Sequence, residues 1–305
     1  MKIKLKKDHQ NIGRSKLSIF PVIIMGILII YAIVLFALLG YTIFVATRSA
    51  KLTDFSGSYF YMKNKNFYFH LGEIFNKVYS FNSQGQKSTL FDILGNSIIY
   101  SIGSAFLKTL VPCLAAYACA RFNFKTGKVV YTAVLLAMII PIVGSLPSEL
   151  KVAYGLGLVN SLPGVIMLKA NMLGLYFFVM YTTFKNMPND YFEAARIDGA
   201  NNFQILFKIA FPLIKNVFLT ILLINFVTFW NDYQTPMVYL RDKPTLGFTL
   251  WKMITAAGAV GDADVSSNAV YALNMVILSS APVLILFSIF KDKFMGSLTL
   301  GGVKG

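Results

Sequence analysis

Six long apolar runs, almost free of charge, limit this chain more than any other feature of its sequence. A hydrocarbon layer about 30 Å thick is crossed by about 20 helical residues. Runs of that length predict spans at Leu17 to Thr47, Ile93 to Ala120, Val129 to Ser148, Leu162 to Phe184, Ile209 to Trp230 and Val265 to Phe290. The third holds Pro141, Gly144 and Pro147, which bend or end a helix. Over all 305 residues, 56% are hydrophobic and 13% charged, with a mean hydropathy of +0.63. Ordinary soluble domains carry about twice that fraction of charge. The composition excludes a soluble enzyme, a disordered tail and a disulfide scaffold, and predicts an all-α polytopic membrane protein with six transmembrane helices.

The formal net charge of +15 does not point to nucleic acid, because the Lys and Arg residues flank the apolar runs instead of gathering in a polar segment. They read as topology determinants. Of the 28 basic residues, sixteen fall on the side of the N-terminus and ten on the other, with Lys108 and Lys169 inside spans. The positive-inside rule then predicts both termini in the cytoplasm. The basic leader before Leu17 resembles a signal peptide, but the apolar run is too long and lacks a clear cleavage site, so a retained first span is expected. The domain division follows: a cytoplasmic N-terminus over 1–16, the first span over 17–47, an external segment over 48–92, a five-span core over 93–290 and a cytoplasmic tail over 291–305. The external segment is rich in Phe and Tyr and reads either as a small cap or as a docking surface for an extracytoplasmic partner.

Cys113 and Cys119 stand about 240° apart around a helix, so they pair neither with each other nor around a metal. His9 and His70 lie near no cluster of ligands, and no metal site is expected. An intramembrane enzyme lacks the constellation it needs.

The polar stretch after the fourth span, within 186–208, carries the strongest local signals. Pro188 suits a first helical position, Asp190 and Glu193 suit the positive end of a helix, and Gly199 can take the left-handed stop. Asn201 and Gln204 form a capping-box pattern for a second helix, in which Phe203, Ile205, Leu206 and Ile209 lead into the fifth span. Ala194 and Ala195 allow another surface to approach closely, and Glu193 offers one charge to a partner cation. The alternative is an amphipathic helix lying on lipid headgroups, which needs a broad apolar face and basic flank.

Glu193-Ala194-Ala195, then Gly199, Ile209 and Pro212, resemble the signature loop of permease subunits of ABC importers. The phrase from Glu193 through Asp198 to Ala200 is similar to the carbohydrate branch, which contains the smaller maltose permease. Leu114 to Ala118 with Arg121, Phe229 to Asp232, and Leu298 to Gly305 resemble that branch's second-span, fifth-span and C-terminal motifs. Phe211 departs from the Leu usual before the proline.

The resemblance implies a type I importer permease fold, the bacterial cell membrane, and a chain that transmits closure of ATP-binding subunits through Glu193, Ala194, Ala195, Asp198, Gly199 and Ala200. It also implies a second permease in a heterodimer, two ATP-binding subunits, an extracytoplasmic solute-binding protein met by the loop Pro236 to Asn268, and surrounding lipid. Gly302 and Lys304 become a tail contact between the ATP-binding subunits, and the solute a disaccharide or oligosaccharide. The chain has no phosphate-binding Gly-rich loop of its own, so ATP and Mg are expected on partner subunits.

Charge at membrane depth defaults to function. Lys108 is expected to pair with the partner permease, to line the solute path or to snorkel, Lys169 to snorkel, and Asp232 to sit at an interface. Tyr117, Asn171, Asn225, Trp230 and Asn231 are candidates for the solute path, with belt aromatics and interhelical hydrogen bonds as the plain alternatives. The rival function is a secondary transporter driven by an ion gradient, which calls for carboxylates inside spans; these spans hold none.

Overall fold

The computed structural model describes residues 19–46, 79–80, 87–122, 125–140, 144–257 and 265–299. Helix α1 spans Ile19–Ala46, and two-residue strands β1 (Tyr79–Ser80) and β2 (Lys87–Ser88) pair antiparallel. Then follow α2 (Leu90–Arg121), α3 (Lys125–Ile139), α4 (Leu146–Gly155), α5 (Leu162–Leu168), α6 (Leu175–Lys185) and α7 (Asp190–Ile197). The last helices are α8 (Asn202–Trp230), α9 (Gln234–Tyr239), α10 (Leu246–Ala257) and α11 (Val265–Thr299).

Among the described residues, four helices are long and apolar enough to cross a membrane, those of the first, second, fifth and sixth predicted spans. The third predicted span stops at Ile139, ahead of Pro141, and its remaining residues belong in part to α4. The fourth is not one rod: α5 and α6 are separated by residues 169–174, with Gly174 at φ +134°. Only glycine takes that backbone conformation cheaply, and a run scored by hydropathy alone does not reveal it. The helix that carries the second predicted span begins at Leu90, three residues before Ile93. Thr89 and Asp92 close a capping box, the Asp92 carboxylate accepting from the Thr89 N–H at 2.9 Å, so Leu90 to Asp92 are helical. The helix of the sixth predicted span runs on to Thr299, and its apolar stretch is Ala272–Phe290.

Helices α2 and α8 form the central pair, with α6 and α5 against other parts of α2. The buried stripe of α2 contains Ser97, Ser101, Ser104, Ala105, Thr109 and Ala116, small residues that let neighbours come close. A Cβ on Gly103 would lie 2.7 Å from Ile166 Cδ1, so α5 touches the α2 backbone there. Between α2 and α8, the buried Asn225 amide donates to Thr109 Oγ1 at 3.0 Å. Trp230 Nε1 donates to the Ser279 carbonyl at 2.9 Å, fixing the end of α8 to α11. Helix α1 rests on α11 and presents nearly its whole apolar surface outward, as a lipid-facing span does.

Gly164 in α5 meets backbone where a side chain would stand: its Cβ would be 2.6 Å from the Leu158 carbonyl oxygen. Gly164→Ala is therefore expected to cost about 2 kcal/mol, in the range of overpacked cores. Gly155→Ala, with open space around it, is expected to change little. The thermal midpoints of the two purified variants check this, and equal midpoints would refute the tight α4–α5 turn.

Candidate functional site

Helix α7 is short, and its C-terminal end is set by local chemistry. At its C-terminus Gly199 takes φ +77°, as its sequence position predicts. The Ala200 N–H returns to the Ala195 carbonyl at 2.9 Å and the Gly199 N–H to the Arg196 carbonyl at 3.1 Å, the paired bonds of a Schellman turn. Asn201 then caps α8, accepting from the Gln204 N–H at 2.9 Å while the Gln204 carboxamide oxygen accepts from the Asn201 N–H at 2.9 Å. The predicted helix, glycine bend and second helix are all present. A π-helical turn over Leu206–Ala210 follows, just before Pro212, which has no N–H to offer a regular ladder.

Arg121 fastens this hairpin to α2. Its Nη1 donates to Asn189 Oδ1 at 2.7 Å, its Nη2 donates to the Met187 carbonyl at 2.9 Å, and its guanidinium lies 3.8 Å from the Phe192 ring centroid. Phe192 and Ala195, three residues apart, turn inward onto a core containing Tyr117, Phe184, Ile205 and Leu206. Ala195 is thus occupied by its own chain, which corrects its assignment to the face left open for close approach. Ala194 remains exposed, as do Glu193 and Asp198.

The outward face is more apolar than its sequence suggests. Ile197 is 86% exposed and Phe203 75%, with Tyr191 and Phe207 also exposed beside them. The apolar residues expected to lead together into the fifth span are divided: Ile205 and Leu206 are buried, Ile209 is half-buried and Phe203 stays out.

At membrane depth the candidates for the solute path separate. Asn225 is buried and bound to Thr109, and Trp230 is buried, stacked on Phe226 and bound to Ser279. Tyr117 sits in the core by α7, edge-on to Phe122 and Phe184. Asn231 is exposed, its amide donating to the Val227 carbonyl of its own helix. Lys108 and Asn171 do come together, Lys108 Nζ donating to Asn171 Oδ1. Lys169, expected to snorkel, donates to Thr235 Oγ1 just beyond the end of α8 at 3.0 Å, and its Nζ is 5.9 Å from the Phe229 ring centroid. Asp232 accepts from the Tyr100 hydroxyl at 2.7 Å and from the Thr235 N–H at 3.0 Å. No group of three or more His, Cys, Asp or Glu suited to a metal occurs among the described residues. Gly302 and Lys304 lie outside the described residues.

Residues 108–294, which contain the loop helix, the interrupted span and both lysines, match the family of binding-protein-dependent transport system inner membrane components. The chain belongs to this family. Among its relatives, the melibiose/raffinose/stachyose import permease protein MelC of Bacillus subtilis (strain 168) is 30% identical, over 74% of this chain and 81% of its own. The arabinooligosaccharides transport system permease protein AraQ of the same organism is 28% identical, over 72% and 75%. A chain in the crystal structure of a bacterial ABC transporter involved in the import of the acidic polysaccharide alginate superposes with a TM-score of 0.65 at 23% identity. That superposition covers 88% of this chain and 96% of that one, and it shows the shared type I importer permease fold. As a family member, the protein is a multi-pass component of the cell membrane.

Arg121 was legible from sequence only as part of a motif, and its partners 66 and 68 residues away were not. Loss of its two charge-assisted hydrogen bonds is expected to cost about 2 kcal/mol locally. In this permease component, Arg121→Ala should raise amide exchange over residues 187–200 by about tenfold or more, and Arg121→Lys should fall between, because an ammonium cannot fork to both oxygens. Unchanged exchange by mass spectrometry in Arg121→Ala would show that the core alone holds α7.

Proposed function

We propose that this chain is one transmembrane permease subunit of an ATP-driven importer of disaccharides or oligosaccharides. In that reading α7 receives the closing motion of an ATP-binding subunit. The observation that carries it is the outward face of the loop hairpin, where Tyr191, Ala194, Ile197 and Phe203 are exposed around Glu193. An apolar patch of this kind with one charge beside it suits a protein groove better than solvent. The Schellman turn and the Arg121 bonds make the hairpin rigid, so a push on α7 passes to α2 and α8 without being absorbed by the loop. Lipid headgroups are the poorer partner for this face, since a headgroup helix carries a basic flank that α7, with Asp190, Glu193 and Asp198, does not have.

Sugar as solute is supported by what MelC and AraQ are named for, import of oligosaccharides. The partners follow from that assembly: a second permease, two ATP-binding subunits holding ATP and Mg, and an extracytoplasmic binding protein. The hairpin then faces the cytoplasm, with both termini on the same side, in keeping with the distribution of basic residues.

Glu193→Lys sets a positive charge where a partner cation is expected, and should abolish ATP-coupled uptake while leaving the chain in the membrane. Uptake and complex recovery equal to wild type would exclude α7 as the coupling element. Orientation is checked separately by Ile197→Cys in a background lacking Cys113 and Cys119. An impermeant thiol reagent should label Cys-bearing inside-out vesicles and spare intact cells, and the reverse pattern would place the hairpin outside and end this reading. Uptake should also survive collapse of the ion gradient, as a gradient-driven carrier would not.

A further inference from the structure

Within α8 one turn departs from α geometry. Over Leu206–Ala210 the helix is π-helical, and the Phe211 N–H reaches back five residues to the Leu206 carbonyl. A single wide turn of this kind holds one residue more than the α turn it replaces, and such turns occur often at functional sites.

The extra residue decides which side chains meet the core. From Ala210 onward the buried positions of α8 include Ala210, Ile214, Phe218, Ile221 and Asn225, three or four apart, as one face of an α-helix requires. Carried back at the same spacing, that face would continue through Phe207 and Phe203. The π turn sets Leu206 in the inward place instead. Leu206 is 7% exposed, whereas Phe207 is 58% exposed and Phe203 75%. Two large apolar residues thus stand one step apart, each suited to the same place in the core: Leu206 while the turn is π-helical, Phe207 when it tightens to α.

Pro212 sets the balance between them. In a continuous α-helix its ring presses on the Lys208 carbonyl four residues back, and it brings no N–H to that oxygen. The wide turn is therefore favoured when nothing pulls on the helix. Ahead of it the hairpin is stiff, closed by the Gly199 turn, capped at Asn201 and Gln204, and held at its entry by Arg121. Beyond it α8 is bonded to α2 through Asn225 and Thr109 and to α11 through Trp230 and Ser279. A movement of the hairpin against the bundle is taken up between these two stiff parts, at the π turn.

We propose that the Leu206–Ala210 turn is a register switch worked by the ATP-binding subunit: displacement of α7 tightens it to α geometry and exchanges Leu206 for Phe207 in the core. The inference rests on the importer reading given above and adds the element that turns a push into a rotation. One residue's step around an α-helix is about 100°, so the start of α8 turns by roughly that much against the rest. Each register keeps one large apolar side chain in the core and leaves one outside. A partner that grips the outward face of the hairpin more tightly in one register than in the other then selects between them.

The test uses the purified complex with its ATP-binding subunits in nanodiscs, with Leu206→Cys or Phe207→Cys as the sole thiol of this chain. Labelling by a maleimide is read on this chain by mass spectrometry, without nucleotide and after trapping with ATP and vanadate. Without nucleotide, Phe207→Cys should react about tenfold or more faster than Leu206→Cys, and trapping should reverse the order. Pro212→Ala, added to either, should move the nucleotide-free pattern toward the trapped one. Should Leu206→Cys prevent recovery of the complex, Phe207→Cys with and without Pro212→Ala decides alone, equal rates counting against the switch. Protection of Phe207→Cys on trapping while Leu206→Cys stays buried assigns Phe207 to the docking face and overturns the switch. Labelling indifferent to nucleotide and to Pro212→Ala, in a complex whose ATP hydrolysis responds to its loaded binding protein, overturns the switch and leaves the importer reading standing. Purification of the chain without any ATP-binding subunit overturns the importer reading and the switch with it.

Discussion

A backbone N–H or C=O left bare in hydrocarbon costs several kcal/mol, and that cost governs most of what this chain does. It makes helix the default for every apolar run and leaves few places where the helix can stop. Where α1, α2, α8 and α11 cross, backbone groups are met within their own helices except opposite interior prolines such as Pro112 and Pro282. Where the fourth span breaks, polar side chains are brought to the gap: Lys108 reaches across from α2 to Asn171 and the Leu173 carbonyl, and Lys169 is held by Thr235. The interruption and the lysines are two sides of one arrangement. Pro112 adds to it, because a proline at that position removes the N–H that would otherwise bond the Lys108 carbonyl.

The same accounting sets the hairpin at the Arg121 end of α2. Outside the apolar layer, helix ends are met by side chains or by water, and at this bend the caps are local: Gly199 and Ala200 close α7, Asn201 and Gln204 open α8. Local caps fix the angle between two helices without long-range help. Arg121 and the inward pair Phe192 and Ala195 then fix the hairpin to the bundle. What remains outward, Ile197 and Phe203 above all, is apolar surface with no partner on this chain.

Features that depend on neighbours in sequence were legible from the sequence. The capping box at Asn201 and the glycine stop at Gly199 follow from residue chemistry within a turn or two. The four long spans follow from length and hydropathy. The split fourth span was not read, although Lys169, Asn171 and Gly174 lie within six residues of one another, because an apolar window averages over such punctuation. The inward turn of Ala195 was missed for a related reason: Ala194 and Ala195 are equivalent in composition, and only the position of the core at Phe184 and Tyr117 tells them apart. Contacts such as Arg121 to Asn189 and Asn225 to Thr109 join distant parts of the chain and are set by tertiary packing, on which local pattern is silent.

Helix α2 connects the two regions of interest. Lys108 and Arg121 lie on it thirteen residues apart, about 20 Å along the axis, and the Pro112 site between them weakens one rung of the ladder. In the proposed mechanism a displacement of α7 pulls on the Arg121 guanidinium, and α2 carries that pull toward the interrupted span. The side of α2 that meets α8 is tied by the Asn225 to Thr109 bond, one residue from Lys108, so α2 and α8 move together at that level.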